Sequence, residues 1–106
     1  TGTVVMDELS FGDVTLALNT AQLSCGGSSV QLSPKEFQVA RLLLGEPSMA
    51  FTKDVIISRA WGWDSEATGN NVEAYISFLR KKLRYLGSKV CIRNLQKIGY
   101  RLEVEA

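Results

Sequence analysis

Between positions 72 and 86 the chain places an apolar residue at intervals of four, three, four and three: Val72, Ile76, Leu79, Leu83 and Leu86. That is the period of an α-helix with one narrow apolar stripe, and no other feature constrains the fold as strongly. A strand would scatter these five residues over both of its faces. A membrane span would need roughly 18 consecutive apolar residues. The segment must therefore set one side into a core and leave the other to solvent. At about 100° per residue the far side carries Asn70, Asn71, Ala74, Ser77, Phe78, Lys81, Lys82 and Tyr85. Asn70 suits the N-cap, with Glu73 as its capping-box partner, and Gly87 suits the stop.

The elements before this helix supply its partners. Ser33-Pro34-Lys35-Glu36 combines a capping serine, a proline at the first helical position and a capping-box glutamate. Leu32 and Phe37 stand where a hydrophobic staple forms. Phe37, Ala40, Leu43 and Leu44 make a second apolar stripe, which Pro47 ends near Gly45. Thr52 caps a further helix from Lys53 to about Trp61, with Val55, Ile56 and Ala60 inward, and Gly62 closes it. Upstream, Val14, Leu16 and Leu18 alternate with polar or small residues. Turn signals at Asn19-Thr20 and Gly26-Gly27 flank Gln22–Cys25. With Thr3–Met6, and with Val30 and Leu32, these predict a four-stranded antiparallel meander. Downstream, Val90–Gln96 and Gly99–Val104 read as a hairpin with Lys97-Ile98 at its tip. The fold expected is α+β: an N-terminal four-stranded antiparallel sheet, three helices and a C-terminal β-hairpin, in one domain over residues 1–106. A chain of 106 residues, 45% of them hydrophobic, can bury such a core without disulfides or metals.

Composition narrows the function. Histidine is absent, which removes the commonest general base and metal ligand. Cys25 and Cys91 fit no zinc spacing and read as buried apolar thiols. Asp64 and Glu66 are a carboxylate pair, but no glycine-rich nucleotide motif or metal cluster organises them. The expectation is a binding domain, not an enzyme, with no cofactor. Two lone thiols suit a reducing compartment, hence the cytoplasm. The net charge of +1 conceals an asymmetry: residues 70–101 hold eight basic residues and one acid, Glu73, while residues 1–69 hold four basic residues and eight acids. The basic third consists of the long helix and the hairpin alone. Such a distribution suits a polyanion. A helix with a polar outer face fits the major groove of DNA, and a basic hairpin beside it can meet an adjacent groove or phosphates. The competing reading is a helical module that binds protein without specific DNA recognition.

Four motifs in order carry a family resemblance. Leu32-Ser33-Pro34-Lys35-Glu36-Phe37, Trp61-Gly62, Asn71-Val72-Glu73 through Leu79-Arg80-Lys81-Lys82-Leu83, and Gly99-Tyr100-Arg101-Leu102 resemble the signature segments of OmpR/PhoB-type winged-helix domains. The resemblance covers nearly the whole chain. It implies the DNA-binding effector domain of a two-component response regulator, with a receiver domain before Thr1, and direct-repeat promoter sites bound by head-to-tail pairs. Some members are cytoplasmic parts of membrane-bound regulators or lack a phosphorylatable receiver. An isolated monomer that pairs only on DNA is expected.

By position, the resemblance makes Asn70, Asn71, Ala74 and Phe78 base-facing. It places Trp61, Tyr75, Ser77, Arg80, Lys81, Arg93, Asn94 and Tyr100 at phosphates or flanks. Gln96 and Lys97 fall where the wing enters the minor groove. Loop 62–69, with Trp63, Asp64 and Glu66, matches a segment some members use to touch RNA polymerase. Many members carry arginines where this chain has Ser77, Phe78 and Gln96. That departure implies an A·T-leaning site, read by asparagine amides and by apolar contact with thymine methyls, or else a weak binder. Several residues admit a second reading. Phe78 can face bases or pack on a neighbour. Arg80 can pair with Glu73 or another acid, and Arg101 can make a salt bridge in place of a phosphate contact. Trp63 can anchor its loop or meet a partner.

Overall fold

The computed structural model describes residues 7–62 and 65–105. Four short antiparallel strands open it: β1 (Glu8–Phe11), β2 (Val14–Ala17), β3 (Gln22–Cys25) and β4 (Ser28–Gln31), paired in chain order. Their register lines up Leu9, Leu16, Leu23 and Val30 in one row facing the core. Among the described residues the first strand is Glu8–Phe11; the expected strand Thr3–Met6 lies outside them. Leu9 and Phe11 alternate with Glu8 and Ser10, and Gly12-Asp13 is the two-residue turn that sets this register.

Helix α1 (Pro34–Gly45) begins as its sequence dictates. The Glu36 backbone N–H donates to Ser33 Oγ at 3.3 Å, and the Ser33 N–H donates back to Glu36 Oε1 at 2.8 Å. Val39, Ala40, Leu43 and Leu44 are its buried apolar residues, while Phe37 is only half-buried. The stripe is rotated from the expected one because α1 is central: it touches β1, β2, α2, α3 and the last strand at once. Helix α2 (Lys53–Ala60) is capped by Thr52, whose Oγ1 accepts from the Val55 N–H, and it buries Ile56 completely.

Helix α3 (Gly69–Tyr85) buries Val72, Ile76, Leu79 and Leu83, as the spacing requires. Its start differs from expectation. Thr68 is the N-cap, and Asn71 Oδ1 accepts from the Thr68 N–H at 2.8 Å and the Thr68 hydroxyl at 3.3 Å. Asn70 therefore stands inside the first turn and Glu73 just beyond it. Glu73 is free to pair with Lys53 of α2 instead. The helix ends at Gly87, whose φ of +71° permits the Ser88 N–H to reach back to Leu83 O and its own N–H to Arg84 O, a Schellman closure.

Strands β5 (Val90–Leu95) and β6 (Gly99–Val104) form the expected hairpin, with Val90, Ile92, Tyr100 and Leu102 inward. Two ties not foreseen from sequence hold it. Asp13 accepts from Ser88 Oγ at 2.6 Å and the Lys89 N–H at 3.0 Å, joining the first sheet to the root of β5. Phe51, in the α1–α2 connection, exchanges two 2.8 Å backbone hydrogen bonds with Tyr100. Gly99 makes that approach possible: a Cβ there would sit 2.3 Å from Phe51 O, and its φ is +126°.

Candidate nucleic-acid interface

With its stripe in the core, α3 turns the opposite face to solvent. Asn70, Asn71, Ala74, Ser77, Phe78 and Lys81 are all exposed there. Tyr75 and Trp61 are half-buried beside them. The three aromatics form a ladder. Trp61 meets Tyr75 edge-on at 5.4 Å between ring centroids, and Tyr75 meets Phe78 edge-on at 5.3 Å. Lys35 closes the far end, its ammonium 5.1 Å from the Trp61 ring and donating to Ala60 O at 2.8 Å. Phe78 thus packs on a neighbour, as one of its two readings has it, and remains 42% exposed.

Two cations of the basic helix do not face outward. Lys82, which the helical wheel set on the far side, turns inward to donate to Glu36 Oε1 at 2.5 Å and Gln31 O at 3.1 Å. It lies at the edge of the exposed face, and the buried carboxylate beside it captures the ammonium. Burial pushes the Glu36 carboxyl up, but the hydrogen bonds from Lys82 and Ser33 outweigh burial and hold it below its ordinary range. Arg80, expected at phosphate or paired with Glu73, instead donates from Nε and Nη2 to Ile92 O, at 3.2 and 2.7 Å. It locks α3 to β5 and so fixes the angle between helix and hairpin.

On the hairpin, Gln96 and Lys97 are exposed at the tip, together with Ile98. Lys97 holds a φ of +66°, a left-handed conformation that costs an L-residue about 1–2 kcal/mol. Asn94 is exposed, while Tyr100 opposite it is buried, so Tyr100 belongs first to the core. Arg93 is engaged by Glu103 at 3.1 Å, and Arg101 by the same carboxylate at 2.7 Å. The Arg101 and Arg93 hydrogen bonds lower the Glu103 pKa. The salt-bridge reading of Arg101 holds, and Arg93 shares its partner. Glu66 is exposed in the loop before α3; Trp63 and Asp64 lie outside the described residues.

A shallow groove lies between the start of α2 and the tip of the wing, lined by Thr52, Lys53, Asp54, Lys97, Ile98, Gly99 and Tyr100. Sequence reasoning missed Lys53 and Ile98 here. The signal for Lys53 was its place directly after the Thr52 cap, at the positive end of α2.

The family model described as "Transcriptional regulatory protein, C terminal" matches residues 27–102. The heme response regulator HssR of Staphylococcus haemolyticus is 36% identical over 96 residues, covering 91% of this chain and 43% of HssR. The chain thus spans less than half the length of that relative. Among solved structures, the DNA-binding domain of E. coli CadC superposes with a TM-score of 0.82 at 25% identity, covering 95% of each chain. The DNA-binding domain of Klebsiella pneumoniae RstA, solved in complex with the RstA box, superposes with a TM-score of 0.73 at 26% identity, covering 89% of this chain and 94% of that one. The meander, the three helices and the hairpin wing are the winged-helix architecture of these domains, and the chain belongs to the family of C-terminal domains of transcriptional regulatory proteins.

Proposed function

We propose that this chain binds double-stranded DNA sequence-specifically as the output domain of a response regulator, with α3 in the major groove and the β5–β6 wing on phosphates and the minor groove. The observation that carries this reading is the placement of the basic third. It consists of α3 and the wing, and the Arg80–Ile92 bond holds these two in fixed relation while the groove face of α3 stays open. Asn70, Asn71, Ala74 and Phe78 face the bases. Ser77 and Lys81 meet the flanks, with Trp61 and Tyr75 backing them. Lys97 and Gln96 reach the minor groove, and Asn94 lies beside phosphate. Arg80, Arg93 and Tyr100 act chiefly by holding the wing in place.

The same reading places a receiver domain upstream, the whole protein in the cytoplasm, and loop 62–69 (Trp63, Asp64 and Glu66) against RNA polymerase. It makes the isolated chain a monomer that pairs head-to-tail on direct-repeat promoter sites. The test is duplex binding at several salt concentrations. Each phosphate neutralised adds about −0.9 to the slope of log K against log salt, so the slope should be steep and sequence-matched duplexes should be retained above random ones. A flat salt response with no preference among duplexes would establish a protein-binding module instead.

A further inference from the structure

Within that DNA-binding reading, the exposed face of α3 has an unusual chemistry. Counting from its N-terminus, it presents Asn70, Asn71, Ala74, Ser77 and Phe78 before the first outward cation on this face, Lys81. The other cations along this stretch are engaged, Arg80 by Ile92 O and Lys82 by Glu36. Asn71 is constrained as well. Bidentate recognition of adenine needs its amide to accept from N6 and donate to N7, yet Oδ1 already accepts from the Thr68 N–H and hydroxyl. Asn71 is therefore poorly placed for bidentate recognition of adenine.

What the face does hold ready is apolar. Phe78 is 42% exposed and braced edge-on by Tyr75, itself braced by Trp61. The ring is fixed before any ligand arrives, so little side-chain freedom is lost on binding. Ala74 lies one turn before it on the same exposed face, as positions four apart on a helix must. In the major groove the one apolar feature that distinguishes a base is the C5-methyl group of thymine.

We propose that Phe78, together with Ala74, determines specificity by covering thymine methyl groups in the major groove. The chain then reads thymine by its methyl, not guanine by its acceptors, and Lys81 serves the neighbouring backbone.

The test uses duplexes that the chain itself selects from a random pool. The selected pool is amplified once with thymidine triphosphate and once with deoxyuridine triphosphate, which removes every C5-methyl from the copied strands and leaves Watson–Crick pairing intact. The wild-type chain should bind the uracil pool more weakly by about fourfold for each methyl covered. Phe78→Ala should lose most of the difference between the two pools, keeping at most the share that Ala74 covers, and Phe78→Leu should keep more of it. Since Phe78 is largely outside the core, both variants should melt close to the wild type. Equal wild-type binding of the two pools overturns the proposal, and so does a thymine preference that survives undiminished in Phe78→Ala. A wild-type chain that retains no duplex at any salt overturns the DNA-binding reading itself, which separates the two failures.

Discussion

Glu36 is the only buried charged side chain among the described residues, and it couples the start of α1 to the middle of α3. Its Oε1 receives the Ser33 N–H at 2.8 Å and the Lys82 ammonium at 2.5 Å. Glu36→Gln keeps a carbonyl for the cap but exchanges a charge-assisted hydrogen bond for a neutral one, a loss of about 1 kcal/mol. Glu36→Ala also strips the cap of its acceptor, which adds about 1 kcal/mol. The Lys82 partner is 29% exposed and can turn to water, so the full penalty of breaking a buried pair does not apply. Lys82→Met keeps the stem but leaves the carboxylate with Ser33 alone, at a cost of about 2 kcal/mol. The double variant Glu36→Gln/Lys82→Met removes both charges and should cost less than the sum of its parts, by about 1 kcal/mol or more. Urea denaturation followed by circular dichroism reads all four corners of this cycle. Each kcal/mol moves the midpoint of a thermal scan of a domain this size by roughly 4–8 °C. The pH dependence has a definite sign. The folded pKa of Glu36 lies below its ordinary 4.5, so its contribution is complete above that value and is lost as pH falls through the folded pKa. The wild-type advantage over Glu36→Gln should shrink on acidification. Strictly additive single variants, or an advantage that grows toward low pH, would refute this account of the coupling.

Gly99→Ala should be the most damaging single methyl in the wing. The added Cβ would lie 2.3 Å from Phe51 O at a φ of +126°, and a loss above about 3 kcal/mol is expected by urea denaturation. Lys97→Ala should flatten the salt slope of DNA binding by about 0.9 on specific and random duplexes alike, and equal slopes would mean the tip stays in solvent. Lys97→Gly should do the same while raising stability by about 1 kcal/mol, because it relieves the +66° φ. Asn71→Ala should lower stability by about 1 kcal/mol through the lost Thr68 cap, with base discrimination changing less than stability. Asp13→Asn should loosen the root of the wing. The Ser88 and then the Lys89 hydrogen bonds hold the Asp13 pKa below 3.8, so the wild-type advantage, seen as slower amide exchange in β5, should persist at neutral pH and fade on acidification through that folded pKa.

The sequence by itself determined the elements and their order. The Ser33–Glu36 box, the Thr52 cap, the α3 stripe and the Gly87 stop are all written within a few residues of where they act. Local chemistry of that kind is legible because a cap or a stripe needs no distant partner. The strand Glu8–Phe11 was missed because Leu9 and Phe11 give only two apolar beats, too few to signal a strand by themselves. The α3 cap was misjudged because Thr68 and Asn70 both suit an N-cap, and backbone geometry alone chooses between them. Sequence also located the basic third and the exposed groove face. Only the tertiary structure decided which of those charges are free. Lys82 is 46 positions from Glu36, and Arg80 is 12 from Ile92, so neither bond has a local signature. Folding brings a buried carboxylate and an unpaired strand carbonyl beside two of the helix cations, and the cost of leaving such groups unsatisfied takes those cations from the surface. What remains on the open groove face of α3 before Lys81 is asparagine, serine, alanine and a braced phenylalanine ring.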